Sequence, residues 1–319
     1  MDRLAADLET ARSASADENP AGLFFESDRA ALTGEIDARL ALPEKLFALN
    51  ELDVLYEPSD EILWTFMRPA GRPSFTPQLL GDFEEWQRLI LEGFADGQAG
   101  LKFLILGSRS PGVFCFGGDL ELFHDLIRSG DRAGLVRYGY RCVEILHRNI
   151  HALDLPVLTI GLVQGAALGG GFEALLSFDH VIAERGATFG LPEVMFGLFP
   201  GMGAHAILSR KLGSAVADRL ILSNKTYSAE EMFDLGIVHQ LAEDGGGVAA
   251  TRGFIAKNAR RQAGLVGAKR AMRESTHVPL AELKRIVDHW ADSALQLREQ
   301  DLRVMQRLAS AQAKLAKAS

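Results

Sequence analysis

The chain has 319 residues, and the 47% that are hydrophobic suffice for one large domain or two ordinary ones around a buried core. Its formal net charge of −8 argues against a nucleic-acid-binding protein, which would present a basic face. Its two cysteines, Cys115 and Cys142, argue against a disulfide framework and favour a reducing compartment. The N-terminal residues lack the apolar segment of a secretory signal, and no stretch has the roughly 18 apolar residues of a membrane span. We therefore expect a cytoplasmic protein without a membrane span.

Short apolar runs alternate with helical patterns in the middle of the chain. Two runs separated by Pro58-Ser59-Asp60 predict a β-hairpin over residues 52–67. The elements predicted after it are helix 77–94, strand 101–106, helix 132–150, strand 157–163, helix 171–176 and strand 181–183. This alternation predicts an α/β fold with largely parallel strands.

The two ends of the chain differ from this central pattern. Residues 1–48, with a predicted helix near 30–41, are rich in Ala, Asp, Glu and Arg and form a predicted N-terminal helical extension. From residue 281 to 317 a helical pattern continues with little interruption. The simpler interpretation is that helices of residues 274–319 pack on the central region, residues 49–273. The alternative is that this region also contacts another subunit or acts as a lid.

Three successive glycines, Gly169 to Gly171, stand between an apolar strand and a predicted helix that contains Glu173. Glycines allow the backbone to approach another group closely, and amides at a helix N-terminus stabilise a developing negative charge. The run has neither the lysine of a P-loop nor the spacing of a dinucleotide-binding motif. The alternative is that the glycines only allow tight packing between strand and helix.

A glycine pair, Gly117-Gly118, follows Cys115 and precedes Asp119, a residue type suited to cap a helix N-terminus. The pair exposes backbone amides, although an ordinary strand-to-helix turn is the simpler interpretation of this segment alone. Cys115 lies between two phenylalanines with no nearby histidine placed to activate it. We therefore predict that Cys115 is a core residue and not a nucleophile.

Glu193 lies in a strongly apolar segment, directly after Leu191-Pro192. Desolvation there would raise the pKa of its carboxyl group toward the range that is useful for proton transfer at neutral pH. The alternative is a surface glutamate on a loop, which is the usual state of this residue type.

The order and spacing of Gly-Gly-Asp at 117–119, Gly-Gly-Gly-Phe-Glu at 169–173 and Leu-Pro-Glu at 191–193 resemble the crotonase (enoyl-CoA hydratase/isomerase) superfamily over roughly residues 52–273. The resemblance implies an α/β fold with a ββα superhelix core, here the catalytic core of residues 49–273, and a C-terminal helical region. It implies that the amides of Gly118 and Gly170 hold a thioester oxygen, and that Glu173 and Glu193 exchange protons with the acyl chain. No cofactor is expected beyond the pantetheine arm of the substrate. No metal site is expected either, since the eight histidines show no ligand spacing.

Residues 67–77 and the N-terminal extension depart from ordinary enoyl-CoA hydratases. Together with Phe199-Pro200-Gly201-Met202-Gly203 they resemble the diffusible signal factor synthases, a crotonase branch. That branch implies dehydration of a 3-hydroxyacyl chain on acyl carrier protein to the cis-2-enoyl form, and thioester hydrolysis that releases a free fatty acid for bacterial quorum sensing. The alternatives are an ordinary enoyl-CoA hydratase or isomerase acting on coenzyme A thioesters, and a non-catalytic crotonase-fold binding protein. Retention of both glutamates and both glycines argues against the last.

Two further sets of residues have two interpretations each. Apolar residues around Glu193 either line an acyl tunnel or belong to the core, and these are Leu191, Val194, Met195, Phe196, Leu198 and Phe199. A basic cluster either docks an acidic carrier protein or forms a solvated helix face, and its members are Lys257, Arg260, Arg261, Lys269, Arg270 and Arg273. The resemblance also implies a homo-oligomer, a trimer or hexamer, and it allows a sensor kinase as a regulatory partner.

Overall fold

Two β-sheets form the centre of residues 42–317, the part of the chain that the computed structural model describes, with side chains as far as residue 313. In chain order the strands are β1 (Leu52–Glu57), β2 (Ile62–Met67), β3 (Phe103–Ser108), β4 (Val113–Cys115), β5 (Leu158–Val163), β6 (Ala166–Leu168), β7 (His180–Glu184), β8 (Thr188–Gly190), β9 (Tyr227–Ser228) and β10 (Gln240–Ala242). Within this part of the chain, one sheet has six strands in the order β1-β2-β3-β5-β7-β10, and the other has the order β4-β6-β8-β9. The helix predicted near residues 30–41 lies outside the described residues.

The larger sheet is parallel except at its edge hairpin. Strands β1 and β2 pair antiparallel with Leu52 opposite Met67, whereas the other neighbouring strands of this sheet pair in parallel. Every residue of β3 and of β5 is buried, as expected for parallel strands covered on both faces. The predicted α/β class, the hairpin and the parallel pairing are confirmed.

Helices cover the faces and ends of these sheets. In the described residues they are α1 (Pro77–Phe94), α2 (Leu120–Arg128), α3 (Arg132–Ile150), α4 (Gly170–Leu175), α5 (Ala204–Leu212), α6 (Ser214–Leu222), α7 (Ala229–Asp234), α8 (Gly247–Asn258), α9 (Gln262–Ser275), α10 (Leu280–Ala294) and α11 (Glu299–Lys317). Short 3-10 helices occur at Glu44–Phe47, Ala152–Asp154, Glu193–Phe196 and Ala259–Arg261.

Helix α1 illustrates how the sequence sets an element boundary. The side chain of Thr76 accepts a hydrogen bond from the N–H of Leu79 at 3.1 Å, and Pro77 occupies the first helical position. The buried face of the helix includes Trp86, whose indole N–H donates to the hydroxyl of Thr65 at 3.0 Å. This bond joins α1 to β2. The helix begins and ends where the pattern predicts, at residues 77 and 94.

The smaller sheet brings three strand ends together. Strands β4, β6 and β8 are parallel neighbours, so their carboxyl ends lie at the same edge of the sheet. The segments that follow these strands begin at Phe116, Gly169 and Leu191. The three sequence motifs, which are far apart along the chain, therefore meet at one edge.

The C-terminal region forms two helices, which corrects the prediction of a nearly uninterrupted helical pattern. Helix α10 ends at Ala294 and α11 begins at Glu299. Between them, the carboxylate of Asp301 accepts a hydrogen bond from the N–H of Arg298 at 3.0 Å, which favours a new helix start over continuation. Leu297 in the same turn packs on Gly197, where an added Cβ would lie 2.9 Å from it. This break depends on a contact remote in sequence.

Helix α10 packs on the central domain, as the simpler interpretation of the tail predicts. Its residues Leu283, Val287 and Trp290 are buried. Val287 lies so close to α3 that a side chain on Gly139 would collide with it. The helix is therefore part of the core.

Two kinds of site are absent from residues 42–317. None of the helices there is long and apolar enough to cross a membrane. No three His, Cys, Asp or Glu side chains of this part of the chain form a group that could hold a metal ion.

Candidate active site

A cavity lies at the edge where the three strand ends meet. The four predicted catalytic and oxyanion residues, Gly118, Gly170, Glu173 and Glu193, all line it. Most of the remaining lining is apolar, and it includes Phe116, Leu120, Phe123, Leu168, Phe196, Leu198, Met202, Trp290 and Leu308. A few polar groups converging in an apolar cavity is the usual arrangement of a ligand or enzyme site.

Backbone pairing holds the Gly117-Gly118 loop against the segment before α1. The N–H of Phe75 donates to the carbonyl of Gly117 at 2.7 Å, and the N–H of Phe116 donates to the carbonyl of Pro73 at 2.7 Å. Gly117 has a φ of +89°, a conformation that favours glycine. Within residues 42–317 the N–H of Gly118 has no backbone acceptor. That amide is therefore available to a ligand in the cavity.

Three side chains fix the turn that follows Gly118. Asp119 caps α2, as predicted, and its carboxylate accepts a hydrogen bond from Arg72 at 2.7 Å. The hydroxyl of Tyr138 accepts from the N–H of Asp119 at 3.2 Å and donates to the carbonyl of Phe75 at 2.6 Å. Because these bonds are largely buried, the loop holds its shape before a substrate binds. Such preorganisation is what stabilisation of an oxyanion requires.

The glycine run approaches this loop closely. Gly169 has a φ of +53°, and Gly170 begins α4, so its N–H has no acceptor within its own helix. An added Cβ on Gly117 would lie 2.5 Å from the nitrogen of Gly170, and one on Gly170 would lie 3.5 Å from the nitrogen of Gly118. The two predicted oxyanion amides are therefore neighbours. A side chain on Gly117 would separate the two loops.

The third glycine of the run has a packing role. A side chain on Gly171 would collide with the carbonyl of Cys115 in β4. Cys115 is buried, and burial raises the pKa of its thiol to about 12. A neutral, enclosed thiol is not a nucleophile, so the prediction that Cys115 belongs to the core is confirmed. In this glycine run, Gly170 therefore exposes its amide, whereas Gly171 allows tight packing against β4.

Glu173 is held by the backbone at the start of α5. Its side chain is 1% exposed, and its Oε1 accepts hydrogen bonds from the N–H of Met202 at 2.8 Å and of Ala204 at 2.9 Å. Ala204 is the first residue of α5, so the carboxylate also faces the positive end of that helix. Burial raises the pKa of Glu173 to about 7, and the amides, which favour the ionised form, lower it only in part.

Glu193 begins the 3-10 helix Glu193–Phe196 and lines the cavity. The residue as a whole is half-buried, but its Oε2 is fully buried and has no hydrogen-bond partner among the described residues. Its Oε1 lies beside Gly169, where an added Cβ would be 2.7 Å away. Burial, and then the nearby charge of Glu173, raise the pKa of Glu193 well above its ordinary value.

The two carboxyl groups share a cavity but differ in environment. Two amides favour the ionised form of Glu173, whereas the charge of Glu173 opposes ionisation of Glu193. The ionised form is therefore favoured at Glu173 and the protonated form at Glu193. A pair with one proton between its members contains a base and an acid at the same place.

The six apolar residues considered for an acyl tunnel lie in different environments. Phe196 and Leu198 line the cavity. Leu191 is buried in the core, and Val194, Met195 and Phe199 are half-buried and lie outside the lining. A 3-10 turn points successive side chains in different directions, so only part of this apolar run faces the cavity.

The C-terminal helices supply the other wall of the cavity, to which sequence reasoning assigned no residue. Trp290 of α10 and Leu308 and Gln312 of α11 line it. The ring of Trp290 packs edge-on against Phe123 of α2, with centroids 4.9 Å apart. The amphipathic pattern indicated a buried face, but such a pattern does not show that a face borders a cavity.

The six basic residues considered for carrier docking divide into two groups. Arg273 pairs with Asp179 at 2.6 Å, and Lys269 donates to the carbonyl of the same residue. These two therefore have structural partners. The exposed members are Lys257, Arg260, Arg261 and Arg270.

Comparisons with known proteins agree with this architecture. The Enoyl-CoA hydratase/isomerase family model matches residues 63–286. The mevalonyl-coenzyme A hydratase SIDH of Beauveria bassiana (strain ARSEF 2860) is 30% identical over 206 residues, which cover 63% of this chain and 70% of that protein. The solved structure of Pseudomonas aeruginosa DspI has a TM-score of 0.62 and 26% identity, covering 72% of this chain and 88% of that one. The enoyl-CoA hydratase from Bacillus halodurans, at a TM-score of 0.67 and 18% identity, covers 81% of this chain and 100% of its own, and supports the fold alone.

The family match spans more than half of the chain. It includes the glycine pair 117–118, the glycine run 169–171 and both glutamates. The architecture is that of the crotonase fold, as the resemblance implies. The chain therefore belongs to the enoyl-CoA hydratase/isomerase family of the crotonase superfamily, with an enoyl-CoA hydratase-like activity.

Proposed function

We propose that this protein dehydrates a 3-hydroxyacyl chain on acyl carrier protein to the cis-2-enoyl form and hydrolyses the thioester, releasing a free cis-2-unsaturated fatty acid as a quorum-sensing signal. The observation that carries the dehydration is that Glu173 and Glu193, whose carboxyl groups have pKa values raised by burial, line one cavity with Gly118 and Gly170. The choice of branch rests on the resemblance carried by residues 67–77 and by the N-terminal extension.

In the dehydration, the thioester oxygen lies between the two glycine amides. A carboxylate of the glutamate pair takes a proton from the α-carbon, and the electron pair moves onto the thioester oxygen to form an enolate. The amides stabilise this charge, by about 3–4 kcal/mol for one donor in comparable oxyanion holes. The enolate then forms the double bond and expels the β-hydroxyl, which takes the proton of the other carboxyl group and leaves as water. The pair begins and ends the reaction with one proton.

Thioester hydrolysis uses the same groups in a second step. A carboxylate takes a proton from a water molecule, whose oxygen bonds to the thioester carbon, and the glycine amides hold the resulting oxyanion. When this intermediate collapses, the C–S bond breaks and the thiolate of the pantetheine arm takes the proton. The products are a free acid and the carrier thiol.

An acidic carrier protein is complementary to the exposed basic residues Lys257, Arg260, Arg261 and Arg270 of this chain, whose net charge is −8. The pantetheine arm arrives with the substrate, so the proposal requires no cofactor held by the protein. From the same resemblance we propose a homotrimer or a pair of trimers, which the mass of the assembly in solution tests. A regulatory sensor kinase is a further proposed partner, which co-purification with the full chain tests.

Product analysis tests the proposed reaction. The purified protein receives a 3-hydroxydodecanoyl chain on acyl carrier protein and, in a separate reaction, on coenzyme A, and mass spectrometry and NMR identify the products. We expect free cis-2-enoic acid from the carrier-protein substrate. Release of the 3-hydroxy acid without any enoyl product would contradict the dehydration.

An ordinary enoyl-CoA hydratase is the second candidate. It is favoured by the match to the Enoyl-CoA hydratase/isomerase family and by the similarity to a protein described as a coenzyme A hydratase. This function uses the same four residues but acts on a coenzyme A thioester and leaves the thioester intact. Formation of trans-2-enoyl-coenzyme A alone would establish it and remove the signal-synthase proposal.

A further inference from the structure

Gln312 of α11 lines the cavity but has no part in the proposed chemistry. Its side chain is 8% exposed, and its Oε1 is buried without a hydrogen-bond partner among the described residues. A buried amide oxygen without a partner is unfavourable, because it loses its bonds to water and gains none. A ligand that supplies the missing partner is therefore stabilised at this position.

The surroundings of Gln312 are apolar. Leu308, one turn earlier on α11, lines the same cavity, and so does Trp290 of α10. Tyr138 also lines the cavity, but its hydroxyl already bonds to two backbone groups. The amide of Gln312 is therefore a polar group in an apolar wall of the cavity that Glu173 and Glu193 also line.

A substrate bound beside the two glutamates places its acyl portion and thioester in the cavity, because the pantetheine arm must lead out to the carrier. That portion of a 3-hydroxyacyl thioester has two polar groups. The thioester oxygen is an acceptor only, and the amides of Gly118 and Gly170 are placed to bind it. The 3-hydroxyl both donates and accepts, so it can pair with either end of the amide of Gln312.

We infer that Gln312 binds the 3-hydroxyl group of the substrate and selects hydroxylated acyl chains over chains that lack this group. The inference rests on the proposed dehydration of a 3-hydroxyacyl thioester. When the hydroxyl donates its hydrogen to Gln312, its lone pairs stay free to accept the proton of the glutamate pair. The contact thus orients the leaving group without competing with the acid. Gln312 is a specificity-determining residue that the C-terminal helices contribute to the site.

Binding of two unreactive analogues tests this inference. Both carry the acyl chain on pantetheine through an amide in place of the thioester, and one is 3-hydroxydodecanoyl and the other dodecanoyl. Isothermal titration calorimetry with the full chain gives the ratio of their affinities. One neutral hydrogen bond predicts that the wild type binds the hydroxylated analogue about fivefold to tenfold more tightly.

Gln312→Met keeps the length of the side chain and removes its polar atoms, and it should bring this ratio to about one. Gln312→Leu is measured in parallel, so that the result does not depend on the folding of a single variant. Gln306→Met is the matched control, because Gln306 is an exposed residue of the same helix and its amide bonds to His124 outside the cavity lining. It should keep the wild-type ratio. The melting temperature without ligand should not fall in Gln312→Met, since the change removes an unpaired buried group.

Three outcomes separate the inference from the proposed function. A wild-type ratio that persists in a folded Gln312 variant overturns the inference and leaves the proposed function intact. An equal loss of affinity for both analogues overturns it as well, because it places Gln312 against the pantetheine arm or the alkyl chain. Failure of the wild type to bind either analogue counts against the proposed function itself, and the inference falls with it.

Discussion

The two walls of the cavity are built in different ways. The glycine wall consists of the loops at residues 116–119 and 169–173 together with Glu193, and it presents backbone amides and two carboxyl groups. The C-terminal wall consists of Trp290, Leu308 and Gln312, and it presents side chains of two amphipathic helices. The loops of the first wall lie so close together that a single Cβ would separate them. The second wall depends on helix packing, so we expect it to accept other side chains more easily than the glycine wall.

This difference indicates that catalysis and substrate selection are separable in this protein. Changes in the glycine wall alter the groups that move protons or stabilise charge, so they should lower turnover for every acyl chain. Changes in the C-terminal wall alter the shape and polarity that the acyl chain meets, so they should change which chain is preferred. An effect of the opposite kind in either wall would show that catalysis and substrate selection are not separable.

The largest effect is expected from the two glutamates of the glycine wall. Glu173→Gln and Glu193→Gln should each lower the rate of dehydration by roughly 10²–10⁴-fold, because an amide cannot carry the proton. Steady-state turnover of a 3-hydroxyacyl thioester measures this. Glu92→Gln, which changes an exposed carboxyl group of α1, is the matched control and should keep wild-type activity. Near-wild-type turnover in either folded glutamate variant of the site would contradict the two-carboxyl mechanism.

A comparison of two substitutions at Gly170 tests the oxyanion amide itself. Gly170→Pro should lower turnover by roughly 10²–10³-fold, because it removes one N–H donor from the oxyanion hole. Proline is tolerated at the first position of a helix, which Gly170 occupies in α4. Gly170→Ala keeps the N–H, and its Cβ would meet the flexible end of Met202 at 2.5 Å, so it should lose much less activity. Equal turnover of the two folded variants would remove this amide from the mechanism.

The buried carboxyl groups should make the stability of the fold depend on pH. The pKa of Glu173 is raised to about 7 in the folded state, so its neutral form is favoured there and the associated stability is lost as pH rises through about 7. Glu173→Gln removes this loss, and it should stabilise the protein by roughly 1–3 kcal/mol at pH 8 and by little at pH 4. Urea unfolding at both pH values measures the difference. If the free energy of unfolding differed between variant and wild type by the same amount at both pH values, the pKa of the Glu173 carboxyl group would not be raised in the folded state.

Tyr138→Phe tests whether the glycine wall must be held rigid. The change removes the hydroxyl that bonds to Phe75 and Asp119 but keeps the ring. We expect turnover to fall about fivefold to tenfold with little change in KM, because loss of the two orienting hydrogen bonds should raise the barrier by about 1–1.4 kcal/mol. A rise in KM at unchanged kcat would instead place Tyr138 in substrate binding.

The smallest effect is expected from the C-terminal wall. Leu308→Ala enlarges the cavity, so it should raise kcat/KM for longer acyl chains relative to shorter ones by about threefold to tenfold, as expected for one or two methylene groups. Competition between acyl chains of different length in one reaction measures this ratio. A uniform loss of turnover for all lengths would show that this wall also affects the chemistry.

The glycine wall could be predicted from the sequence because its chemistry requires unusual residue patterns. Few other roles require three glycines before Glu173, or a glutamate such as Glu193 within an apolar run. The order of the motifs resembles that of the crotonase superfamily, and this resemblance predicted that they meet in one site. Most strands and helices up to residue 183 followed from apolar periodicity and from signals such as Thr76 and Pro77, but the short strands β4 and β6 lie in segments that the sequence pattern predicts to be loops. These features depend on residues that are close together in the chain, so they can be recognised in a single sequence.

The remaining features depend on contacts that no local pattern records. The amides of Met202 and Ala204 hold Glu173, but any residue type has such an amide. Gln312 joins the site only because α11 returns to the cavity. That return requires the break between α10 and α11, where Leu297 packs on Gly197.

The most direct test of the two-carboxyl mechanism is isotope incorporation during hydration of a 2-enoyl thioester, the reverse of the proposed dehydration. The reaction is run in deuterium oxide enriched in oxygen-18, and mass spectrometry and NMR locate the labels. A proton-carrying glutamate pair beside an oxyanion hole predicts one deuterium at the α-carbon and one oxygen-18 at the β-carbon of the 3-hydroxyacyl product, and no such product in Glu173→Gln or Glu193→Gln. Oxygen-18 found only in a released carboxylate, with the enoyl chain unchanged, would show a hydrolase without hydratase chemistry. That result would contradict proton transfer to and from the acyl chain by Glu173 and Glu193.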